Sequence, residues 1–254
     1  MATATLKTSG YLNPTTATGG ASCDGNLPAI SVTAGNLLVV FLGSNKNTGT
    51  TTNWMSCSSA GYTFTQRVEG SQAGDFTAAA AVWTAPIPST NASLVVAVAD
   101  SINTYGLMYA VYEVSGHDAG TPTGGTASTA GYTVDGVLTL TLSVAPASDD
   151  ITLGFVFLDA DNATTKSIDV GSGFTEDFDY TDAAWYSLAQ AQQRTGSTST
   201  SVPWADIKPA GYSGSTYSSA AVAVVIKNGT AVTTALPHMA YRNTPFTPQY
   251  AGVR

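Results

Sequence analysis

Carboxylates form the densest group of reactive side chains in this 254-residue sequence: Asp159, Asp161, Asp169, Glu176, Asp177, Asp179 and Asp182 fall within one stretch. Carboxylates gathered in this way suit two chemistries, a hard-cation site or the acid–base pair of a glycosidase. Asp159-Ala160-Asp161-Asn162 matches the start of a calcium-loop pattern. However, Thr164 stands at the sixth position, where the turn needs glycine, and Val170 at the twelfth, where a glutamate closes the loop. A calcium (Ca) site built from separate loops is the form of metal binding these residues leave open; a solvated acidic rim is the simpler reading. No residue singles out an acid from a base, so no glycosidase pair is assigned.

The other candidates are sparser. His117 and His238 are the two histidines, and neither has a cysteine or second histidine at ligand spacing, which argues against zinc. Ser115-Gly116-His117-Asp118 holds the residue types of a catalytic triad, but a nucleophile elbow needs G-x-S-x-G between strand and helix, and triad members converge from separate segments. No catalytic residue and no cofactor is therefore expected. Tryptophan faces stack on sugar rings. Trp83 and Trp185 sit in strand-like runs and read as core, whereas Trp54 and Trp204 sit in polar segments and are the candidate ligand-contacting loop aromatics. Packing of those two rings on the body is the competing reading. Cys23 and Cys57 allow one disulfide but are too few to define a framework. Two free thiols, as in a protein assembled in a reducing cytoplasm, are preferred.

The elements that must position these residues are strands. In Tyr105 to Gly116, Leu107, Tyr109, Val111 and Glu113 point one way and Met108, Ala110, Tyr112 and Val114 the other. Both faces are mostly apolar, which fits a central strand between two layers. Thr216 to Lys227 is its counterpart near the end of the chain. Leu37 to Gly43 and Ile151 to Leu158 are continuous apolar runs of strand length, and Tyr62 to Glu69, Ala92 to Ala99, Val137 to Val144, Phe174 to Tyr180 and Ala184 to Gln193 read as further strands. Thr77 to Ala85 is alanine-rich enough for a helix. Pro86 and Pro88 close it, so a strand is expected there, with small side chains that let two sheets approach. Ser44 to Ala60 reads as a polar loop and His117 to Asp135 as a connector.

Motifs recur between segments 30–116 and 137–229: Gly61-Tyr62-Thr63-Phe64 with Gly173-Phe174-Thr175, and Met108 to Val114 with Ala220 to Ile226. Such halves make either two separate sandwiches or one jelly roll that interleaves strands from both. Each half holds few strands for a core of its own. The expectation is therefore an all-β, jelly-roll-like two-sheet β-sandwich over residues 1–229, followed by an extended arm over 230–254.

Only 10 % of the residues are charged, and the net charge is −8. No basic stripe exists, so nucleic acid is not an expected partner. No apolar run nears the ~20 residues of a membrane helix, and the first residues lack the basic start and apolar core of a signal peptide. All 17 carboxylates lie at or before Asp206, giving that part 5 − 17 = −12, while Lys208, Lys227, Arg242 and Arg254 follow with no acid. Pro237, Pro245 and Pro248 stiffen the arm, and Tyr241, Phe246 and Tyr250 need a surface to lie on. Tyr241, Arg242, Phe246, Tyr250 and Arg254 thus form a candidate assembly arm for the acidic body of a neighbouring copy, which makes a homo-oligomer the expected state.

The order SVTAGNLLVVFLG, AGYTF, AAAAVWTA, LVVAV, YAVYEVSG resembles β-sandwich proteins encoded among the virion genes of tailed bacteriophages, of the head-decoration, head-fibre and tail-adhesion types. The resemblance covers most of residues 30–116 and, more loosely, 137–229. It implies a virion structural protein, first a capsid decoration or cement subunit. A receptor- or carbohydrate-binding adhesin of a tail or head fibre comes second and a glycan-active enzyme third. The implied partners are other virion proteins of capsid or tail, and the implied location is the virion after synthesis in a host cytoplasm. It assigns no functional residue.

Overall fold

The computed structural model describes residues 1–12, 23–46, 55–71, 77–100, 106–133, 137–159, 168–182, 187–207 and 217–229. The first half runs β1 (Thr3–Leu12), β2 (Gly25–Asn26), β3 (Ile30–Val32), β4 (Leu37–Lys46), β5 (Met55–Ser58), β6 (Thr65–Ser71), β7 (Thr77–Pro86), β8 (Asn91–Leu94), β9 (Ala97–Asp100) and β10 (Leu107–Ser115). The second runs β11 (Thr123–Thr133), β12 (Leu138–Thr141), β13 (Ile151–Asp159), β14 (Asp169–Val170), β15 (Thr175–Asp182), β16 (Ser187–Thr195), β17 (Ser201–Asp206) and β18 (Tyr217–Ile226). The described residues contain no helix.

Each half builds one five-stranded antiparallel sheet, β1-β10-β4-β7-β6 in the first and β11-β18-β13-β16-β15 in the second. β10 lies between β1 and β4 and is buried on both faces until Ser115, as its two apolar faces require. Three smaller sheets, β2-β9-β5, β3-β8 and β12-β17-β14, cover the outer faces. Three cores result. Phe41, Tyr112, Phe155 and Val222 sit between the large sheets; Leu38, Trp83 and Val98 lie under the outer layer of the first half; Val156, Leu188 and Trp204 lie under that of the second. The order is thus small sheets, large sheet, large sheet, small sheet.

This arrangement departs from the expected jelly roll. Among the described residues every sheet is built from one half alone, and only the isolated bridge His117–Asn228 joins the linker to the end of the body. The reason is the strand supply. The expected connector 117–135 contains β11, the expected loop 44–60 contains β5, and β17 lies in a stretch with no assignment. β5 and β17 give each half an outer layer of its own, and the glycine-containing β11 completes the large sheet of the second half. Strand order then matches one-to-one: β1, β10, β4, β7, β6 correspond to β11, β18, β13, β16, β15, and β2, β9, β5 to β12, β17, β14. Between the large sheets, β6 packs on β11 and β1 on β15. Those two contacts exchange under the correspondence, so the halves meet about a pseudo-two-fold axis, as two copies do in a C2 dimer.

Small side chains bring the sheets together, as the alanine run anticipates. Ala78 and Ala80 of β7 and Ala220 of β18 belong to the central core, and the Ala78 amide donates to Ser218 Oγ at 2.6 Å across the interface. Phe41 stacks on Phe155 with centroids 5.6 Å apart and Tyr11 on Tyr180 at 6.1 Å. At one end of the molecule the Gly229 amide donates to the Gly116 carbonyl at 2.8 Å. Gly116 has φ +67°, and a Cβ there would lie 2.9 Å from the Met1 carbonyl oxygen, so residue 1, the linker and residue 229 converge on this glycine.

Candidate functional site

The structure separates the residues singled out in the sequence. Trp204 is not a loop aromatic: it lies in β17, fully buried, and its indole N–H donates to Gln190 Oε1 at 2.6 Å. A ring with no exposed face cannot stack on a sugar, so Trp204 is a core residue. Trp54, Asp161, His238 and the arm residues Tyr241, Arg242, Phe246, Tyr250 and Arg254 lie outside the described residues. His117 turns back on its own strand, with Nδ1 3.3 Å from the Val114 carbonyl; desolvation holds its pKa below the ordinary value. Asp118 accepts from the Gly120 amide at 2.8 Å and the Thr121 hydroxyl at 3.0 Å. The Ser-Gly-His-Asp tetrapeptide is thus a bonded turn.

The acidic stretch divides between two tasks. Asp177 occupies a bulge in β15, where Glu176 and Phe178 pair with Gln192 and Ala191. Its carboxylate accepts from Tyr112 Oη at 2.9 Å and Gln193 Nε2 at 2.7 Å, which pins the two large sheets together. Burial and that carboxylate push the Tyr112 hydroxyl pKa up. Asp179 lies on the other side of the strand, where desolvation and the nearby Glu176 and Asp169 push its pKa up to about 6. Among the described residues no three His, Cys, Asp or Glu side chains gather in a way that could hold a metal ion.

Polar groups inside the first half are tied into the fold. Glu113, in β10, meets Lys7 Nζ at 3.1 Å and accepts from the Thr33 amide and Asn36 Nδ2, both at 2.7 Å. Burial opposes its charge, but these bonds outweigh it and hold the carboxyl below its ordinary pKa. Fully buried Asp100 accepts from Ser44 Oγ at 2.5 Å. Cys23 and Cys57 are free thiols; desolvation first, with Asp100 and Asp24 adding to it, pushes Cys23 up to about 12, and desolvation also raises Cys57.

The concave surface of interest is on the outer face of β2-β9-β5. Across the sheet Asn26 pairs with Ala97 and Ala97 with Ser58, while Ala99 pairs with Ser56. Alternation turns Met55, Val98 and Asp100 into the core and leaves Ala97 and Ala99 as the floor of a trough. Exposed Asp24 and Asn26 form one wall and exposed Ser56 and Ser58 the other. The depression measures about 430 Å³ and adjoins a second of about 470 Å³ that runs past Ser58 towards Asn91 and Val95. Sequence reading missed this surface. Its signal was the alternation in Met55-Ser56-Cys57-Ser58 and Ala97-Val98-Ala99-Asp100, too short to stand out beside the long apolar runs. The chain matches no protein-family model, no curated protein and no solved structure.

Proposed function

We propose that the chain is a structural subunit of a phage virion, a capsid decoration or cement protein that works by contact between copies and with other virion proteins. The observation that carries this reading is the contrast between body and tail. The body is a thick, four-layer block of antiparallel sheets, and residues 230–254 continue from the pole where residues 1, 116 and 229 meet. That continuation holds Arg242 and Arg254 and no carboxylate, whereas residues 1–229 carry 7 − 17 = −10. Opposite charge on body and arm favours arm-to-body association between neighbours. Reinforcement of a shell needs buried area repeated by symmetry and multivalency, for which a rigid block suffices.

The test is removal of residues 230–254. By sedimentation velocity the intact chain should form a larger species whose population falls with added salt. The truncated chain should keep the β-sheet circular dichroism spectrum and sediment as a single body. Equal sedimentation of the two forms refutes the reading.

A further inference from the structure

The outer layers of the two halves are counterparts and can be compared strand by strand. On each middle strand, core residues alternate with outward-facing ones: Val98 and Asp100 with Ala97 and Ala99 in β9, and Val202 and Trp204 with Ser201 and Pro203 in β17. In the second half that outward row carries the pyrrolidine ring of Pro203. The first half instead keeps a floor of two methyl groups between polar walls, and among the described residues it alone adds a further two-stranded sheet, β3-β8, whose Asn91 and Leu94 line the adjoining depression.

We infer that this trough binds a neutral oligosaccharide chain. The floor spans two strand spacings, about 10 Å from β2 to β5, wide enough for a sugar chain lying along it. Each depression is within the size range of small-ligand sites. The methyl groups of Ala97 and Ala99 offer contact to the C–H faces of a ring. The walls offer the complement of vicinal hydroxyls: the Asp24 carboxylate accepts, the Asn26 amide donates and accepts, and the Ser56 and Ser58 hydroxyls do both. Among the described residues lining the two depressions Asp24 is the one charged side chain, and it repels an anionic polysaccharide. An extended peptide fits poorly as well. A peptide added as a strand would pair along the edges β2 or β5 and not lie in the trough, whose floor strand β9 is already paired on both sides. The junction of the two depressions at Ser58 and Ala97 makes the site long enough for several linked sugars. The assignment does not depend on the arm or on assembly.

The test is a ¹H–¹⁵N titration of the full chain with cellohexaose, maltohexaose and chitohexaose at millimolar concentration, with polygalacturonate as the anionic comparator. At least one neutral chain should give saturable shifts at the Ser56, Ser58, Ala97 and Ala99 amides. Ala99→Trp, which fills the trough from its solvent side, should weaken that binding by about ten-fold or more, and Asp24→Ala should weaken it as well. An unchanged circular dichroism spectrum identifies the folded variants, and Ala97→Trp serves if Ala99→Trp fails to fold. Absence of saturable shifts with all three neutral chains overturns the inference. So does binding that survives both tryptophan variants, or a preference for polygalacturonate.

Discussion

Gly43 lies at the inward-facing end of the row Leu37, Val39, Phe41 on β4, with its absent side chain aimed at the second large sheet. A Cβ built there falls 2.6 Å from Phe157 Cβ, 2.8 Å from Phe155 Cε1 and 2.9 Å from Phe157 Cδ2. Ordinary contact begins at 3.4 Å, so alanine demands an opening of 3.4 − 2.6 = 0.8 Å. A ring edge swings aside readily, but Phe157 Cβ is fixed to the main chain of β13, so the sheets themselves must part. Overpacking of that kind costs about 1–3 kcal/mol. The lower freedom of alanine in the unfolded chain offsets about 0.4–1 kcal/mol, leaving a net loss of roughly 1–2 kcal/mol. Gly131, in β11, is the control: nothing lies within 4 Å of its Cβ position. Gly131→Ala should therefore stabilise by about 0.4–1 kcal/mol. With a urea slope of about 3 kcal/mol/M, the Gly43→Ala midpoint falls by roughly 0.5 M while the Gly131→Ala midpoint rises. Phe155→Leu in the Gly43→Ala background should not restore stability, because the Phe157 contact persists. Equal or stabilising effects of both alanines would refute the close approach of the sheets at Gly43.

Two further predictions concern titratable groups. Asp179 has its pKa raised from about 3.9 in an unfolded chain to about 6, so the fold favours its neutral form. Its ionisation therefore opposes folding above pH 6, and that opposition fades as pH falls towards 4. Asp179→Asn should raise the thermal midpoint at pH 7 and lose its advantage by pH 4; an advantage constant across that range contradicts the assignment. Depression of the His117 pKa acts in the opposite direction on acidification, and the wild-type-minus-variant difference removes it. The thiols of Cys23 and Cys57 are both raised by burial and protonated at neutral pH. They should react with a thiol reagent at pH 7.5 only in denaturant, and rapid labelling of both in the native protein would show that the core they share is open.

Where long side chains filled a core, the fold was legible. Leu37 to Gly43, Ile151 to Leu158 and Met108 to Val114 announce themselves because both faces of a central strand are apolar. β11 did not, since Thr123-Gly124-Gly125-Thr126-Ala127-Ser128 has turn composition; it forms a strand because β18 offers it a partner and β6 leaves room only for small residues. Here tertiary pairing overrides propensity. Trp204 misled for a related reason. Its polar segment read as a loop, yet β17 turns Trp204 into the core and Pro203 to the outward face. The trough was illegible because the residues that shape it, alanine and serine, carry no chemistry until the sheet sets them side by side. The acidic stretch was visible, but its division between a pin at Asp177 and a strained charge at Asp179 depends on a bulge that reverses side-chain direction.

The convergence of residues 1, 116 and 229 on a single glycine has a practical corollary for anyone building on this scaffold. Strand ends at Leu12, Lys46, Thr133 and Asp159 lie at the other extremity of the sheets. A passenger attached before residue 1 and whatever continues after residue 229 therefore leave by the same door. The block resembles a post whose attachment points share one foot, with its crown formed by the opposite strand ends.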